Sequence, residues 1–123
     1  MTKRPAIPKA KVTSETSEEE AFQNTVVRPV IKMKHDLLIA CTKRYIATKK
    51  PDFSLLNTEK KLHYVNSCFE QDHALRSELR GVIIGQFTLQ EYERYSAMSN
   101  AINKRIVNII KERMLDHLKF LSN

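Results

Sequence analysis

Apolar residues recur every three to four positions through residues 17–50, which is the spacing of an amphipathic helix. At ~100° per residue they cover about half of the helical circumference, an arc wide enough for burial against two neighbouring helices. The arc comprises Phe22, Val26, Val27, Val30, Ile31, Met33, Leu37, Leu38, Cys41 and Tyr45. The pattern therefore predicts a first long helix, which Pro51 ends because the residue before a proline disfavours helical backbone.

Local signals place the start of this helix and a bend within it. Ser17, followed three residues later by Glu20, is typical of a capping box, in which each side chain accepts from the other residue's backbone N–H. Pro29 leaves the carbonyl of Thr25 without its usual donor, so we expect a kink there. Such a kink marks a ligand site in some proteins and in others simply bends the helix around its core.

Two shorter patterns predict helices in the middle of the chain. One covers residues 58–71 and is capped by Asn57 or Thr58, and Asp72 caps the next. Their inward residues are Leu62, Val65, Phe69, Leu75, Leu79, Val82 and Ile83. Because no glycine or proline separates the two patterns, one continuous bent helix over residues 58–84 stays open as an alternative.

The two glycines of the chain, Gly81 and Gly85, follow G-x-x-x-G spacing. Gly85 fits the left-handed position just past a helix end. Gly81 falls inside the helix, where glycine costs up to about 1 kcal/mol relative to alanine, and the close approach of another helix backbone would compensate for this cost. A phosphate-binding loop is disfavoured, because its glycines follow a strand and open a helix. We therefore predict that both glycines serve helix ending and packing.

A second capping box, formed by Thr88 and Glu91, predicts the start of the last helix. Phe87 and Tyr92 stand at the two positions of a hydrophobic staple on either side of it. The helix is expected to run to about residue 121. Its broad apolar face comprises Tyr92, Tyr95, Ile102, Ile106, Ile109, Ile110, Leu118 and Leu121.

The predicted fold is an all-α, up-and-down bundle of four helices, or of three if the middle pair is continuous. Residues 17–123 form this single domain, and residues 1–16, rich in lysine and proline without a period, form a flexible basic arm. The long helices 17–50 and 88–121 exceed what the middle helices can cover at ~1.5 Å per residue. Their leftover apolar ends either pair with each other or predict a homodimer, and they comprise Phe22, Val26, Met114, Leu118 and Phe120.

Composition narrows the class of protein. The 123 residues, with 41% hydrophobic and 28% charged, are typical of one globular domain. The net charge of +7 favours acidic partners through long-range attraction. No signal segment precedes the two cysteines, and no apolar run approaches the ~18 residues that span a bilayer. We expect a cytoplasmic protein with reduced thiols and no membrane association.

The sequence contains only weak signals for a metal site or a catalytic nucleophile. Glu70 and His73 have the E-x-x-H spacing of helical di-iron carboxylate sites, but no second E-x-x-H accompanies them, so an exposed polar corner is the alternative. Cys41 and Cys68 lie in apolar patterns without a histidine one turn away on the same face. We therefore expect no catalytic residue, no metal and no cofactor.

Polar residues interrupt the apolar face of the last helix at Ser99, Asn103, Arg113 and His117. They satisfy one another's hydrogen bonds, lie exposed near a fraying helix end, or line a pocket between the kinked first helix and the last helix. The candidate ligand pocket comprises Arg28, Tyr92, Tyr95, Ser99 and Asn103.

The outer face of the first helix is basic. Asp36 is its single acid, and Ile39 and Ile46 share the face. It is either a solvated face or a surface for an acidic protein, and nucleic acid is disfavoured because no helix-turn-helix, finger spacing or aromatic RNA-binding motif accompanies it. The candidate partner surface comprises Arg28, Lys32, His35 and Lys43.

Three segments, FQNTVVRPVIKMKHDLLI, RGVIIGQFTLQEY and NKRIVNIIKERM, are similar to a small helical bacterial family without established activity, some members of which are labelled glyoxalase. The resemblance covers most of residues 20–115 and implies a helical fold. The glyoxalase superfamily itself pairs βαβββ modules and places histidine and glutamate ligands on strands. This chain has no run of alternating strands, so no residue is carried over from that label.

The sequence thus favours a non-enzymatic module for protein interaction or regulation in the bacterial cytoplasm. The alternative is a small-ligand-binding protein or enzyme that uses the candidate pocket.

Overall fold

Every regular element in the computed structural model, which describes residues 17–122, is helical, so the predicted all-α class is confirmed. The helices are α1 (Glu18–Phe22), α2 (Arg28–Met33), α3 (His35–Lys49), α4 (Thr58–Gln71), α5 (His73–Ile84), α6 (Leu89–Ser96) and α7 (Ser99–Asp116). A π-helical turn, Gln23–Val27, joins α1 to α2, and short 3-10 turns, Phe53–Leu55 and Leu118–Phe120, follow α3 and α7. The predicted arm, residues 1–16, lies outside the described residues.

The first helical stretch is interrupted twice. In the π-helical turn the N–H of Arg28 donates to the carbonyl of Gln23, five residues back instead of four. This wide turn directly precedes Pro29, whose ring would crowd the preceding turn of a regular helix, as expected for a bend there. Lys34, at φ −97° and ψ 14°, makes a second break between α2 and α3 that the sequence pattern does not predict.

The middle of the chain forms two helices. Asp72 takes up extended backbone at φ −94° and ψ 103°, and its Oδ1 accepts from the N–H of Leu75 at 3.0 Å. Asn57 caps α4 in the same way, accepting from the N–H of Lys60 at 2.9 Å. The cap at Asp72 therefore ends one helix and starts the next, and the continuous bent helix is excluded.

Gly85 ends α5 as predicted, but its expected left-handed backbone and the expected close approach at Gly81 are both wrong. Gly85 has φ −61° and ψ −15°, which is right-handed backbone, and no residue between 17 and 122 has a positive φ. A Cβ placed on Gly81 would meet nothing within 4 Å, so no helix backbone approaches it. The G-x-x-x-G spacing is not a packing motif here.

The last helical stretch is also two helices, which corrects the predicted single helix 88–121. The predicted capping box is present, with Thr88 Oγ1 accepting from the N–H of Glu91 at 3.1 Å and Glu91 Oε1 from the N–H of Thr88 at 2.8 Å. Met98, at φ −142° and ψ 35°, separates α6 from α7, and regular helix ends at Asp116. The break lies in the segment SAMSN, whose serines and asparagine compete with the helix for backbone hydrogen bonds.

Side-chain contacts fix the directions of these segments. Phe22 packs edge-on against Phe87, with ring centroids 5.4 Å apart, so the end of α1 lies beside the chain that follows α5. Gln23 bonds to Arg105 and His35 to Arg113, so the first helical stretch runs in the same direction as α7. The core face of α7, fully buried, comprises Ile102, Ile106, Ile110 and Met114.

Four apolar residues are misplaced by the sequence pattern, and the helical breaks explain two of them, Leu37 and Ile46. Leu37, Leu62 and Tyr92 were expected to face inward but are 46%, 39% and 48% exposed. Ile46, expected on the outer face of the first helix, is 3% exposed. A wheel drawn over residues 17–50 assumes a constant turn angle, whereas the π-helical turn and the break at Lys34 shift every later position around the axis.

The apolar ends that suggested a homodimer are mostly covered by the chain itself. Phe22, Val26 and Met114 are buried in the core, and Leu118 is half-buried. Phe120 stays exposed, with Nζ of Lys119 5.1 Å from its ring centroid. Homodimerisation stays a prediction, with less exposed apolar surface behind it than the sequence suggested.

Candidate functional site

A groove of about 480 Å³ lies between the first helical stretch and α7. We call it the α2–α7 groove. Its polar lining comprises Gln23, Arg28, Arg105, Asn108, Glu112, Arg113, Asp116 and His117. Because the two segments run in the same direction, side chains of successive turns face each other along the groove.

The three arginines of this groove donate to neutral acceptors. Nη1 of Arg105 donates to Oε1 of Gln23 at 2.8 Å. Nε of Arg28 donates to Oδ1 of Asn24 at 3.3 Å. Nη1 of Arg113 donates to Nδ1 of His35 at 3.1 Å. These bonds hold the guanidinium groups in place without neutralising their charge.

Arg94 shows the alternative arrangement within the same chain. Its Nη2 lies 3.0 Å from Oε1 of Glu18, so this guanidinium is paired with a carboxylate. Glu112 and Asp116 also line the α2–α7 groove, yet neither carboxylate is within ion-pairing distance of its arginines in the described part of the chain. The groove therefore presents three fixed, unpaired guanidinium groups to solvent.

Two histidines join α3 to the end of α7. Nδ1 of His117 donates to the carbonyl oxygen of Arg113 at 2.8 Å, and the rings of His35 and His117 pack edge-on with centroids 4.6 Å apart. His35 accepts from Arg113, which requires an unprotonated Nδ1. Burial, then the charge of Arg113 and then His117 lower the pKa of His35, and Asp36 opposes them. The lowered pKa and the hydrogen bond from Arg113 both favour the neutral form of His35.

The structure brings together three of the five candidate pocket residues, Tyr92, Tyr95 and Asn103. The hydroxyl of buried Tyr95 donates to Oδ1 of Asn103 at 2.6 Å, and Tyr92 packs against Tyr95 with ring centroids 5.7 Å apart. Arg28 lines the α2–α7 groove, and Asn103 lines a different groove. Ser99 is half-buried at the first turn of α7. The groove that does lie between the first helical stretch and α7 is therefore lined mostly by residues outside the candidate pocket.

The candidate partner surface is divided in the same way. Arg28 and Lys32 are exposed on α2. His35 turns towards α7 and Arg113. Lys43 is half-buried and lines a separate cavity of about 410 Å³ together with His35 and Phe120.

The cysteines are poorly suited to act as nucleophiles. Burial raises the pKa of Cys68, which lies beside the hydroxyls of Tyr45 and Tyr64, and burial followed by Glu78 raises that of Cys41. A raised thiol pKa keeps both side chains in the protonated, weakly nucleophilic form. No group of three or more His, Cys, Asp or Glu side chains that could hold a metal ion occurs among residues 17–122.

Sequence reasoning missed Gln23 and Arg105, the pair that closes one end of the α2–α7 groove. Their separation of 82 residues leaves no local signal. Arg105 and Arg113 are eight residues apart, so they lie on the same side of a helix two turns apart, and this spacing is the one signal that was present.

None of the helices that residues 17–122 form is long and apolar enough to cross a membrane. Comparisons of the chain with models of protein families, with curated proteins and with solved structures give no match.

Proposed function

We propose that this chain is a non-enzymatic interaction module whose α2–α7 groove binds carboxylates of an acidic protein partner. One observation carries the proposal: Arg28, Arg105 and Arg113 are each held by a neutral acceptor and have no carboxylate partner in the described chain. Guanidinium groups fixed in this way can form two parallel hydrogen bonds to an incoming carboxylate with little loss of side-chain freedom.

The long-range charge supports the same proposal. The net charge of +7 attracts acidic surfaces and accelerates their encounter with the chain. Exposed Arg28 and Lys32 extend the basic surface of the groove along α2. The carboxylates of Glu112 and Asp116 lie along the α7 side of the groove, and they would repel a partner that docks in the wrong register.

The proposed module is a bundle of three helical segments, in which α4 and α5 run opposite to the first and last segments. A cytoplasmic location and membership of the helical bacterial family that the sequence resembles are parts of the same proposal. Neither assigns a partner.

The proposal is tested by calorimetric titration of the protein with an oligoglutamate peptide. We expect binding that weakens as salt is added, because exposed charges are screened over about 10 Å at 0.1 M ionic strength. Arg105→Gln should weaken binding by about tenfold, the effect of losing one charge-assisted hydrogen bond.

Arg94→Gln is the matched control. It removes the same charge, but from a guanidinium that Glu18 already neutralises. We expect it to leave the affinity within about twofold of the unsubstituted protein, a difference of a few tenths of a kcal/mol. Equal losses of affinity in the two variants would show that binding depends on the total charge of the protein. That result would contradict the groove as the binding site.

The second candidate function is binding of a small anionic ligand in the same groove. The volume of the groove favours this function. About 480 Å³ lies within the range of small-molecule sites, about 300–1,000 Å³. Mass spectrometry of small molecules released from the purified protein tests this candidate. A stoichiometric anion that oligoglutamate displaces from the groove would favour it over the protein partner.

A further inference from the structure

A second groove, of about 340 Å³, lies on the opposite flank of α7, where α5 and the end of α4 approach that helix. We call it the α5–α7 groove. Its lining includes Phe69, Arg76, Arg80, Asn103, Lys104 and Lys111. Asn108 lines both this groove and the α2–α7 groove, so the two are separated by the exposed edge of a single helix.

The α5–α7 groove is more strongly basic than the α2–α7 groove. Two arginines and two lysines line it against one acid, Glu70. The carboxylate of Glu70 accepts from the amide of Asn66 at 3.0 Å, and within residues 17–122 it forms no ion pair with the four cations. Four like charges around one concavity repel each other, so a bound anion would stabilise the arrangement.

Both arginines are fixed by neutral groups. Nη1 of Arg76 donates to the carbonyls of Phe69 and Glu70, at 3.2 and 2.6 Å, and thereby caps the end of α4. Nη2 of Arg80 donates to Oγ of Ser77 at 3.2 Å. The remaining N–H groups of both guanidiniums have no partner in the described part of the chain, so they are available to a ligand.

An amide adds a neutral donor to these cations. Oδ1 of Asn103 accepts from the hydroxyl of Tyr95, which leaves its NH₂ group as a donor on the groove side of α7. The apolar part of the lining is formed by Phe69 and Val107. The groove therefore combines a cationic rim, fixed hydrogen-bond donors and an apolar wall.

We propose that the α5–α7 groove binds a small ligand that carries a phosphate group. An arginine guanidinium can donate two parallel hydrogen bonds to phosphate oxygens. Lysine adds a compact positive charge on a flexible side chain that can adjust to the ligand. The apolar wall would contact the part of the ligand that carries the phosphate. A polynucleotide is less favoured, because its sites string cations and aromatic rings along a track, whereas these cations surround one concavity.

Calorimetric titration of the full chain with inorganic pyrophosphate tests the site. We expect binding at one site per chain that weakens with added salt. Arg80→Gln and Lys104→Gln should each weaken it by about tenfold through the loss of one charge-assisted contact. Arg76 is left unchanged in the test because its guanidinium also caps α4.

Two control variants separate this site from general charge and from the α2–α7 groove. Lys60→Gln removes an exposed cation of α4 that has no side-chain partner in the described chain, and Arg105→Gln alters the other groove. Both should bind pyrophosphate as the unsubstituted protein does, with unchanged circular dichroism in all variants. Arg80→Gln should in turn leave oligoglutamate binding unaltered, so failure of one site is distinguishable from failure of the other.

Three results would overturn the proposal. The first is absence of pyrophosphate binding at low salt. The second is an equal loss of affinity in Lys60→Gln and Lys104→Gln. The third is a single-stranded oligonucleotide that binds through Arg80 and Lys104 while pyrophosphate does not.

Discussion

The guanidinium of Arg113 donates a hydrogen bond to Nδ1 of His35, 3.1 Å away, and so ties the end of α7 to the start of α3. The bond exists only while His35 is neutral, because a protonated imidazole has no acceptor. The same guanidinium also serves the α2–α7 groove. One side chain therefore links the stability of the helix pair to the proposed binding surface.

We predict that this pair makes stability depend on pH in the range just below neutrality. Burial, the charge of Arg113 and His117 lower the pKa of His35 from the ordinary 6.5, while Asp36 opposes the shift. Between the lowered pKa and 6.5 the unfolded chain binds more protons than the folded chain, so stability falls as pH drops through 6.5 and levels off below the folded pKa. Urea unfolding followed across this range measures the effect.

The matched variants for this prediction are His35→Asn and His63→Asn. Asparagine retains an acceptor for Arg113 but does not titrate, so His35→Asn should flatten the pH dependence. His63 is exposed on α4, and its replacement should leave the dependence unchanged. A dependence that persists in His35→Asn would show that other groups cause it.

The hydrogen bond from Tyr95 to Asn103 should contribute measurably to stability. Tyr95 is 8% exposed, so Tyr95→Phe leaves the amide oxygen of Asn103 without this donor. We expect the free energy of unfolding to fall by about 1 kcal/mol. Tyr92→Phe, at a ring that is 48% exposed, should change it by less than about 0.5 kcal/mol, and an equal loss in both variants would contradict this account.

The two glycines should respond differently to alanine. A Cβ at Gly81 meets nothing within 4 Å, so Gly81→Ala should stabilise α5 by about 1 kcal/mol through helix propensity alone. At Gly85 a Cβ would lie 3.0 Å from the carbonyl oxygen of Gly81, and the gain should be absent or reversed. Thermal unfolding of the two variants decides between this reading and close packing at Gly81, which would make Gly81→Ala destabilising.

Asp72 performs two tasks at the bend between α4 and α5. Its Oδ1 caps α5 at Leu75, and its Oδ2 accepts from the hydroxyl of Tyr45. Asp72→Ala should therefore cost about 1–2 kcal/mol, the range for loss of a helix cap. Asp52→Ala, which removes only the exposed pairing with Lys50, should cost less than about 1 kcal/mol by the same measurement.

The features that the sequence predicts correctly depend on contacts three residues apart. Thr88 and Glu91, like Asn57 and Lys60, meet within a single helical turn, so the residue types themselves identify the cap. The π-helical turn before Pro29 is likewise local, because proline acts on the turn that immediately precedes it.

The breaks at Lys34 and Met98 could not be predicted in this way. Neither position holds glycine or proline, and the serines and asparagine around Met98 weaken a helix without fixing where it breaks. Once a break shifts the phase of a helix, a continuous wheel misplaces later residues, as it does for Leu37 and Ile46.

Local sequence patterns could not predict the two grooves either, for a related reason. Arg105 meets Gln23 across 82 residues, and Arg113 meets His35 across 78, so only the directions of the segments bring them together. The sequence indicated basic residues and a pocket between the first and last helices. It did not indicate which turns of α7 would face that pocket.

The most direct test of the central claim observes the arginine side chains themselves. In an NMR titration of isotope-labelled protein with oligoglutamate, the Nε–Hε signals of Arg28, Arg105 and Arg113 should shift together and saturate at one peptide per chain. The signal of Arg94, already paired with Glu18, should stay in place. Shifts at Arg94 with none at the three groove arginines would contradict the proposal that the α2–α7 groove binds acidic partners.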